Sequence, residues 1–541
     1  MARTPLMQLL KTISRDIRIS EARGMPIERV IAERKAGVSR REILAGSAAA
    51  AASLALPEIS IAAGPRPRIA IVGAGIAGLN AALTLQDAGV TSAVYEASGR
   101  IGGRMFSNTT IWQDRQVSEW CGELIDTGHK TVRGLAARFG LPLDDLLTDR
   151  SLQETYKFLG QYYTPEQAYQ DWKTHVQAPL AKDAEEAGES TSYDKFTPAG
   201  QALDRMSVAA WIDSRVPGGR KSSMGALLDV AYAIEYGADT DDQSALNLIY
   251  SLGSNTQKSA GNAFDVFGVS DERYHIRGGN QQLPERIARH LRNPVQLAMR
   301  LSSIARQSDG TYALDFNGQQ TVAADIVILA IPFAVLRGID CSRAGFDALK
   351  TTAIQELGRG RNGKLQLQFT SRYWRRPGAW PGRSNGSTYT DEGYQISWEV
   401  SRRQFGGAGI LNNYTGGAVT AAKKTKTPYA LASSADVQED AKAFLDRLEQ
   451  VLPGGTEKWN GRLTSSLPAL DPNFGASYSY WRVGQYTSFA GYERVRQDNV
   501  FFAGEHTSTD FQGFMEGGAS EGARAANDIL DQIRARHKKA G

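Results

Sequence analysis

Residues 68–97, RIAIVGAGIAGLNAALTLQDAGVTSAVYEA, constrain the fold more than any other part of the chain. Residues 69–72 are apolar and are followed by a glycine, and residues 76–88 have the apolar spacing of a helix. Apolar residues then alternate over residues 91–95, and Glu96 follows. This order predicts a strand, a helix and a second strand, with Gly73, Gly75 and Gly78 forming G-x-G-x-x-G in the first turn. Such a turn brings bare backbone and a helix N-terminus to a pyrophosphate. Glu96 is placed to accept ribose hydroxyls, so we predict a dinucleotide site.

A second glycine-rich turn follows the predicted ribose acid. The sequence EASGRIGGRMFS places Ala97, Gly103 and Arg104 directly after Glu96, where backbone can approach the same ligand and the arginine can reach its pyrophosphate. A nicotinamide enzyme has no need of this second turn. The two turns together therefore favour FAD over NAD, and the alternative interpretation is a solvated basic loop.

The bulk composition excludes several classes of function. With 541 residues the chain is long enough for two domains, and its formal net charge is +4. Residues 1–62 hold ten Lys and Arg against six Asp and Glu, so the remainder is neutral and we expect no nucleic-acid partner. The two cysteines, Cys121 and Cys341, and the six scattered histidines form no cluster at metal-ligand spacing, so we expect no metal.

Residues 1–63 resemble a twin-arginine export signal. SRREILAG, at residues 39–46, is followed by the small-residue run SAAAAASLAL and Pro57. That run is too short to span a bilayer as a helix. We therefore expect the twin-arginine export machinery as a partner and a periplasmic or exported location. The alternatives are an ordinary Ala-rich helix with a cytoplasmic location, and a true start at Met25.

The rest of the chain alternates between αβ, helical and strand-rich segments. KLQLQF, YQISWEV and GILNNYTGG predict strands, residues 435–452 predict a helix, and Asn317–Gly318 predicts a hairpin turn. This interleaving predicts an α/β fold of two domains, both discontinuous. We assign residues 64–125, 265–345 and 456–535 to a Rossmann-like FAD-binding domain, residues 126–264 and 346–455 to a mixed α+β substrate domain, and residues 536–541 to a tail.

Four segments resemble the flavin-containing amine oxidase family. They are GAGIAGLNAAL…YEASGRIGGRM, RGGNQQLPERIA, ADIVILAIP and VFFAGEHTSTDFQGFMEGGASEGARAA. The family includes monoamine, polyamine and L-amino acid oxidases, and these motifs are most similar in style to bacterial L-amino acid oxidase relatives. The resemblance covers residues 68–533 and implies the two-domain fold of that family, with FAD extended through one domain and its ring facing the other.

The resemblance implies further cofactor contacts. The backbone of Leu301 would meet the adenine, Glu505 would hold the ribityl or pyrophosphate region, and residues 513–515 would approach the flavin pyrimidine. The helix after Gly518 would direct its N-terminus at the flavin edge where negative charge collects. The complete set of expected cofactor residues is Gly73, Gly75, Ile76, Ala77, Gly78, Glu96, Ala97, Gly103, Arg104, Gly122, Glu123, Leu124, Leu301, Gly504, Glu505, Gly513, Phe514 and Met515.

The resemblance also implies a catalytic residue and a substrate site. Lys364 matches the family lysine that reaches the flavin through a water, and a surface lysine at a strand edge is the alternative. Glu399 is expected either to pair with a cationic group of the substrate or to form a structural ion pair with Arg402 or Arg403. The expected substrate-binding residues are Trp398, Glu399, Ser477 and Phe514.

Three positions depart from the family pattern. Ala476 stands where covalent members carry the cysteine that attaches the flavin, so we expect non-covalent FAD. Ser477 replaces the second aromatic ring of monoamine oxidases, opposite Phe514. Leu124 stands where animal L-amino acid oxidases have a carboxylate-binding arginine, which leaves Arg402 as a candidate for that role.

These features predict an FAD-dependent oxidase of an amine or L-amino acid, similar to L-amino acid oxidases and favouring L-amino acids, basic ones among them. The amine would become an imine and then a carbonyl compound or 2-oxo acid plus ammonia, while O2 is reduced to H2O2. A mono- or polyamine oxidase, or a dehydrogenase without amino-acid preference, is the first alternative. A desaturase, a porphyrinogen-type oxidase and a non-enzymatic accessory flavoprotein are the others. A homodimer is possible.

Overall fold

The computed structural model describes residues 67–147, 151–253 and 271–540. The export signal predicted at residues 1–63, with its arginine pair and Met25, lies outside the described residues. In the part of the chain that is described, no helix is long and apolar enough to cross a membrane.

The strands in chain order are β1 Ile69–Val72, β2 Ala93–Tyr95, β3 Ser107–Asn108, β4 Ser118–Glu119, β5 Leu143–Asp145, β6 Gln153–Phe158, β7 Gln161–Tyr162, β8 Tyr274–Ile276, β9 Leu301–Arg306, β10 Tyr312–Phe316, β11 Gln320–Ala324, β12 Ile326–Leu329, β13 Asp340–Arg343, β14 Gly358–Arg359, β15 Gly363–Phe369, β16 Ser384–Thr390, β17 Ile396–Glu399, β18 Gly409–Thr415, β19 Tyr429–Leu431, β20 Trp459–Ser466, β21 Ser479–Tyr480 and β22 Val500–Phe502.

The α-helices in chain order are α1 Ile76–Asp87, α2 Lys130–Arg138, α3 Pro165–Asp171, α4 Gln177–Ala187, α5 Pro198–Asp204, α6 Val208–Arg215, α7 Ser223–Tyr236, α8 Ala245–Gly253, α9 Gln282–His290, α10 Phe333–Leu336, α11 Ala348–Glu356, α12 Gly417–Ala421, α13 Ala435–Val451, α14 Gly455–Lys458, α15 Gln485–Phe489 and α16 Met515–Ala540.

A parallel sheet in the order β2-β1-β12-β22 positions the first half of the site. β1 reads IAIV and β12 reads IVIL, and all residues of both are buried, as expected for strands covered on both faces. The register pairs Val72 with Leu329 and Leu329 with Phe502. Because the strands are parallel, the loops that follow them meet at one edge of the sheet. Gly73 and Gly504 therefore lie at the same edge, with β12 between their strands, although they are far apart in sequence.

The C-terminal helix α16 packs directly on α1. A Cβ on Gly522 would lie 2.0 Å from the carbonyl oxygen of Ala77, so only glycine permits this approach. Asn80 Nδ2 donates a hydrogen bond to the carbonyl of Ala519 at 2.8 Å. This contact fixes the start of α16 beside the first glycine turn.

A second sheet, in the order β11-β10-β9-β13, carries Leu301, the residue predicted to meet the adenine. Asn317 and Gly318 connect β10 to β11 with φ values of 58° and 65°, which confirms the predicted hairpin turn. Leu301 begins β9 and is buried. The hairpin therefore holds the strand that carries Leu301 in place.

An eight-stranded sheet, in the order β19-β20-β15-β18-β17-β16-β6-β7, positions the second half of the site. Its strand β15 reads GKLQLQF, and successive side chains point to opposite faces. Leu365, Leu367 and Phe369 join the hydrophobic core beneath α13. Lys364 consequently points to the other face, where its Nζ contacts residues 119–123.

Two packing contacts cross the predicted domain boundaries. Helix α2 packs in the same hydrophobic core as β1 and α16, through Val132, Leu135 and Ala136. This core therefore extends across the boundary predicted at residue 126. Strand β20 pairs with β15 and β19, so the last part of the large sheet extends past the boundary predicted at residue 456.

Candidate active site

A cavity of about 610 Å³ lies between the edge of the parallel sheet and the large sheet. Every predicted site residue lines it except Gly78, Glu399 and the carboxylate-binding candidate Arg402. The predicted residues that line it are Gly73, Gly75, Ile76, Ala77, Glu96, Ala97, Gly103, Arg104, Gly122, Glu123, Leu124, Leu301, Lys364, Trp398, Ser477, Gly504, Glu505, Gly513, Phe514 and Met515.

The two glycine turns face each other at one end of the cavity. Gly75 forms an isolated parallel bridge with Gly102, and Gly102 N donates to the carbonyl of Ala74 at 2.9 Å. A Cβ on Gly103 would lie 3.2 Å from the Cα of Gly75. Gly78 lies behind the wall and packs α1 on β1, which is the role that sequence reasoning gives to the third glycine of the motif. Bare backbone therefore surrounds this end of the cavity.

Glu96 anchors the first turn as well as facing the cavity. One carboxylate oxygen accepts from Ala74 N at 2.8 Å, and the other accepts from Ser98 N and Ser98 Oγ, each at 2.8 Å. A carboxylate has about four lone-pair sites, so capacity remains for the hydroxyls of a ligand.

The late glycine motif is held together by Glu505. Its carboxylate accepts from Arg104 Nη1 at 3.1 Å, from Ser479 N at 3.1 Å and from Gly513 N at 2.8 Å. Arg104 also donates to the carbonyl of Ser477 at 2.8 Å. Glu505 therefore fixes the turn before α16 and the side chain of Arg104 in one network beside the cavity.

Lys364 is buried in an ion pair with Glu123. Its Nζ donates to Glu123 Oε2 at 2.6 Å and to the carbonyl of Cys121 at 2.8 Å. The other oxygen of Glu123 accepts from Trp398 Nε1 at 2.9 Å. Burial alone would raise the pKa of Glu123, but the charge and hydrogen bond of Lys364 and the bond from Trp398 hold it below the ordinary value. The lysine is therefore a fixed positive charge at the cavity wall and not a surface residue.

Aromatic side chains enclose the part of the cavity next to Lys364. Trp398 packs against Tyr414 with ring centroids 5.1 Å apart, and the Tyr414 hydroxyl lies 3.0 Å from that of Tyr478. Phe514 lines the same cavity. The Ser477 hydroxyl is instead bonded to Asn362 Oδ1 at 2.7 Å, so this side chain holds the wall in place.

Comparison with known proteins identifies the family. The family model described as flavin containing amine oxidoreductase matches residues 76–530. The chain belongs to this family. It is 24% identical to Polyamine oxidase 2 of Arabidopsis thaliana over 87% of this chain and 89% of that protein. It is 22% identical to "Putative L-amino-acid oxidase YobN" of Bacillus subtilis (strain 168) over 85% of this chain and 94% of that protein.

The fold comparison agrees with the family assignment. The solved structure of cyclohexylamine oxidase from Brevibacterium oxydans IH-35A matches with a TM-score of 0.71 at 21% identity, covering 87% of this chain and 100% of that one. The predicted family and the predicted mixed α/β fold are thereby confirmed. The relative named as a polyamine oxidase and the one named as an L-amino-acid oxidase have nearly equal sequence identity to this chain, so identity does not distinguish the two substrate classes.

Family membership implies a flavin, and the cavity residues fit one. The facing glycines leave room for a pyrophosphate, since a Cβ on Gly103 would fill the gap to Gly75. Glu96 retains acceptor capacity for ribose hydroxyls. The 26-residue helix α16 begins at Met515, a residue of the cavity wall, so its N-terminal partial positive charge faces the cavity.

The structure corrects the prediction that Glu399 contacts the substrate. Trp398 faces the cavity, and the next residue of a strand points to the opposite face of the sheet. Glu399 is fully buried there, accepting from Arg372 Nε at 2.8 Å, Arg375 Nη2 at 2.8 Å and Trp374 Nε1 at 2.9 Å. The structural ion pair was the correct alternative, although its partners are neither Arg402 nor Arg403.

Sequence reasoning missed many residues of the cavity wall. Asp126, Glu272, Tyr414 and Tyr478 are polar ones among them. Tyr414 is directly paired with Lys364 across β15 and β18, so strand alternation offered a signal for it. Glu272 has a φ of 43°, and no sequence pattern predicts that backbone state for a glutamate.

Two buried histidines contribute no positive charge to the site. Burial lowers the pKa of His506, in the cavity wall, to about 4 and that of His129 to about 3. Both are therefore neutral in neutral solution. No group of three or more His, Cys, Asp or Glu suited to a metal ion occurs among residues 67–147, 151–253 and 271–540.

Proposed function

We propose that this protein is an FAD-dependent oxidase that converts an amine or an L-amino acid to the imine, with O2 reduced to H2O2. The observation that carries the proposal is the buried Lys364–Glu123 pair in the wall of the same cavity as the glycine cradle. The Lys364 ammonium group is thereby held beside the aromatic part of the cavity, and this part is continuous with the glycine-lined end. Such a compartment suits a neutral amine held next to a redox cofactor.

The chain's own residues supply binding, orientation and electrostatics. Trp398, Tyr414 and Phe514 exclude water and restrict how the substrate lies against the reacting end. Because the Glu123 carboxylate is bonded to both Lys364 and Trp398, the ammonium group stays in one position. FAD, when bound, supplies the acceptor for the hydride that leaves the amine-bearing carbon. Hydrolysis of the released imine then gives the carbonyl compound or 2-oxo acid and ammonia.

The FAD is expected to be held without a covalent bond to cysteine. Cys121 lines the cavity, but burial raises the pKa of its thiol despite the nearby Lys364 and Arg100, and a neutral thiol is a poor nucleophile. Its sulfur lies 3.9 Å from the Tyr429 hydroxyl. Acid precipitation should therefore leave the flavin in the supernatant. A yellow pellet that loses its colour in the Cys121→Ala variant would contradict this expectation.

The proposed reaction is tested by flavin bleaching and peroxide release. We expect at least one member of a panel of L-amino acids, monoamines and polyamines to bleach the flavin under anaerobic conditions. Admission of air should restore the colour and release H2O2. Bleaching without peroxide would identify a dehydrogenase. No bleaching by any amine would reject the proposal in favour of a desaturase or porphyrinogen-type enzyme.

A further inference from the structure

Helices α2 and α16 pack against each other beside the cavity. α16 begins at Met515, which lines the cavity, and α2 begins at Lys130. Val132 in the first turn of α2 and Ala519 near the start of α16 belong to one hydrophobic core. The N-terminus of each helix carries a partial positive charge. Two positive helix ends therefore lie at the wall of the cavity that fits the flavin.

Glu516, in the first turn of α16, caps the other helix, α2. Its Oε1 accepts a hydrogen bond from Thr131 N and its Oε2 accepts one from Val132 N, each at 2.8 Å. These N–H groups belong to the first turn of α2, where no carbonyl of the helix can reach them. His129, which precedes α2, makes no capping bond with its side chain. A residue from a distant part of the chain therefore satisfies both donors.

Glu516 also supplies the negative charge that the start of α2 lacks. The first turn of α2 contains no acidic residue of its own and begins with Lys130. Glu516 is only 2% exposed, so salt and water screen its charge weakly. Among the described residues, both hydrogen bonds of its carboxylate go to α2 and none goes to an N–H group of α16. The carboxylate therefore offsets the positive end of α2, with which it is in contact.

This contact lies directly behind the cavity wall. Phe514 and Met515 line the cavity, whereas Glu516 and Thr131 do not. Met515 packs so closely on Gly122, another residue of the wall, that a Cβ there would lie 2.9 Å from the Met515 sulfur. Charges act over longer distances in a buried region, because the effective dielectric constant is lower there than in water. The charge of Glu516 is therefore placed to act on a ligand in the cavity without touching it.

We propose that Glu516 lowers the reduction potential of the bound flavin by offsetting the positive end of α2. Negative charge collects on the flavin when it is reduced, and the positive ends of two helices would both stabilise it. With Glu516 in place, α16 provides this stabilisation and α2 contributes little. A lower potential makes the onward transfer of electrons to O2 more favourable. This inference rests on the flavin of the proposed function and is independent of which amine is the substrate.

The variant Glu516→Gln keeps the length of the side chain and removes its charge. It should shift the two-electron reduction equilibrium about tenfold toward reduced flavin, which raises the midpoint potential by about 30 mV. Glu516→Asp retains the charge, so its potential should stay at or below that of the unmodified protein. Stepwise chemical reduction in the presence of a reference dye measures these potentials without any amine.

Thr131→Pro breaks the same contact from the side of α2. It removes the N–H group that donates to Glu516 Oε1 and leaves the charge of Glu516 in place. Proline is tolerated in the first turn of a helix. Because the carboxylate is then less well offset, the potential should fall, opposite to the change in Glu516→Gln. A purely structural contact would move the potential in the same direction in both variants, since both loosen the start of α16.

Asp347→Asn provides the matched control. Asp347 caps α11, a helix of nine residues like α2, by accepting from Lys350 N at 2.7 Å, and it does not line the cavity. This variant should leave the potential unchanged.

Three results would overturn the assignment of Glu516. They are an unchanged potential in Glu516→Gln, shifts of the same sign in Glu516→Gln and Glu516→Asp, and loss of flavin from Glu516→Gln, which would show that the contact serves only the shape of the cavity. The expected shifts in a protein that no amine bleaches would support the role of Glu516 and reject the oxidase proposal alone.

Discussion

Replacing Gly78 by alanine is expected to abolish flavin binding. The new Cβ would lie 1.9 Å from the carbonyl oxygen of Gly73 and 3.2 Å from Ile71 Cγ2, whereas a real Cβ needs at least 3.0 Å from backbone. Helix α1 or the first glycine turn must therefore shift by roughly 1 Å, which a close-packed interior resists. The turn carries Gly73 and Gly75 in the cavity wall, so a shift deforms the pyrophosphate cradle. The ratio of flavin to protein absorbance after purification measures the result.

Gly99→Ala is the matched control for that substitution. Gly99 lies in the second glycine-rich turn, but it does not line the cavity and a Cβ there would meet nothing within 4 Å. We expect this variant to retain flavin and its melting temperature. The Gly78→Ala variant should also lose about 1–3 kcal/mol of folding free energy, as overpacked cores do. Normal flavin content in Gly78→Ala would show that the first glycine turn does not shape the cofactor site.

Local sequence patterns predicted the nucleotide-binding end well because that end is built from local structure. The run IAIV, its glycine turn and α1 are consecutive, and each element has the residues that its backbone requires. The placement of Gly504 at the same cavity as Gly73 depended on the resemblance, and the structure explains it by parallel strands that end at one edge of the sheet. Lys364 and Trp398 depended on resemblance, since a single lysine in a strand carries no signal of its own.

The other end of the cavity could not be predicted because its chemistry depends on tertiary contacts. Glu123 was expected to touch the cofactor, yet its carboxylate is the counter-ion of Lys364, which lies 241 positions away. Glu272 lines the cavity on a left-handed backbone, and its N–H donates a hydrogen bond to Asp126 Oδ1. Neither feature has a signal in the sequence. The error over Glu399 was avoidable, because adjacent strand residues such as Trp398 and Glu399 cannot both face one cavity.

Replacing Lys364 by methionine should retain flavin but lower kcat by about 100-fold. The ammonium group is fixed by Glu123 and by the carbonyls of Cys121 and Glu119, so its charge is held at one point of the cavity wall. Loss of one preorganised charge at a reacting centre commonly costs about 10²–10³ in turnover. Anaerobic bleaching rates with saturating substrate measure the effect on the chemical step.

The same substitution should destabilise the fold through Glu123. Removing one partner of a buried ion pair costs about 3–5 kcal/mol, because an unpaired charge remains in the interior. Without Lys364, burial dominates and the folded-state pKa of Glu123 rises above its unfolded value. The protonated form is then favoured in the fold, so the deficit in melting temperature should shrink in mildly acidic buffer. Melting curves of both proteins across pH check this sign.

The double variant Lys364→Met/Glu123→Gln separates stability from catalysis. It removes the buried charge, so it should recover most of the melting temperature while kcat stays low. Lys350→Met supplies a matched buried lysine outside the cavity, where Nζ donates to the carbonyls of Tyr492 and Glu493 at 2.6 and 2.9 Å. That control should lower the melting temperature and leave kcat per bound flavin unchanged. If the double variant regains kcat together with stability, Lys364 acts only by holding Glu123, and its charge has no part in the reaction.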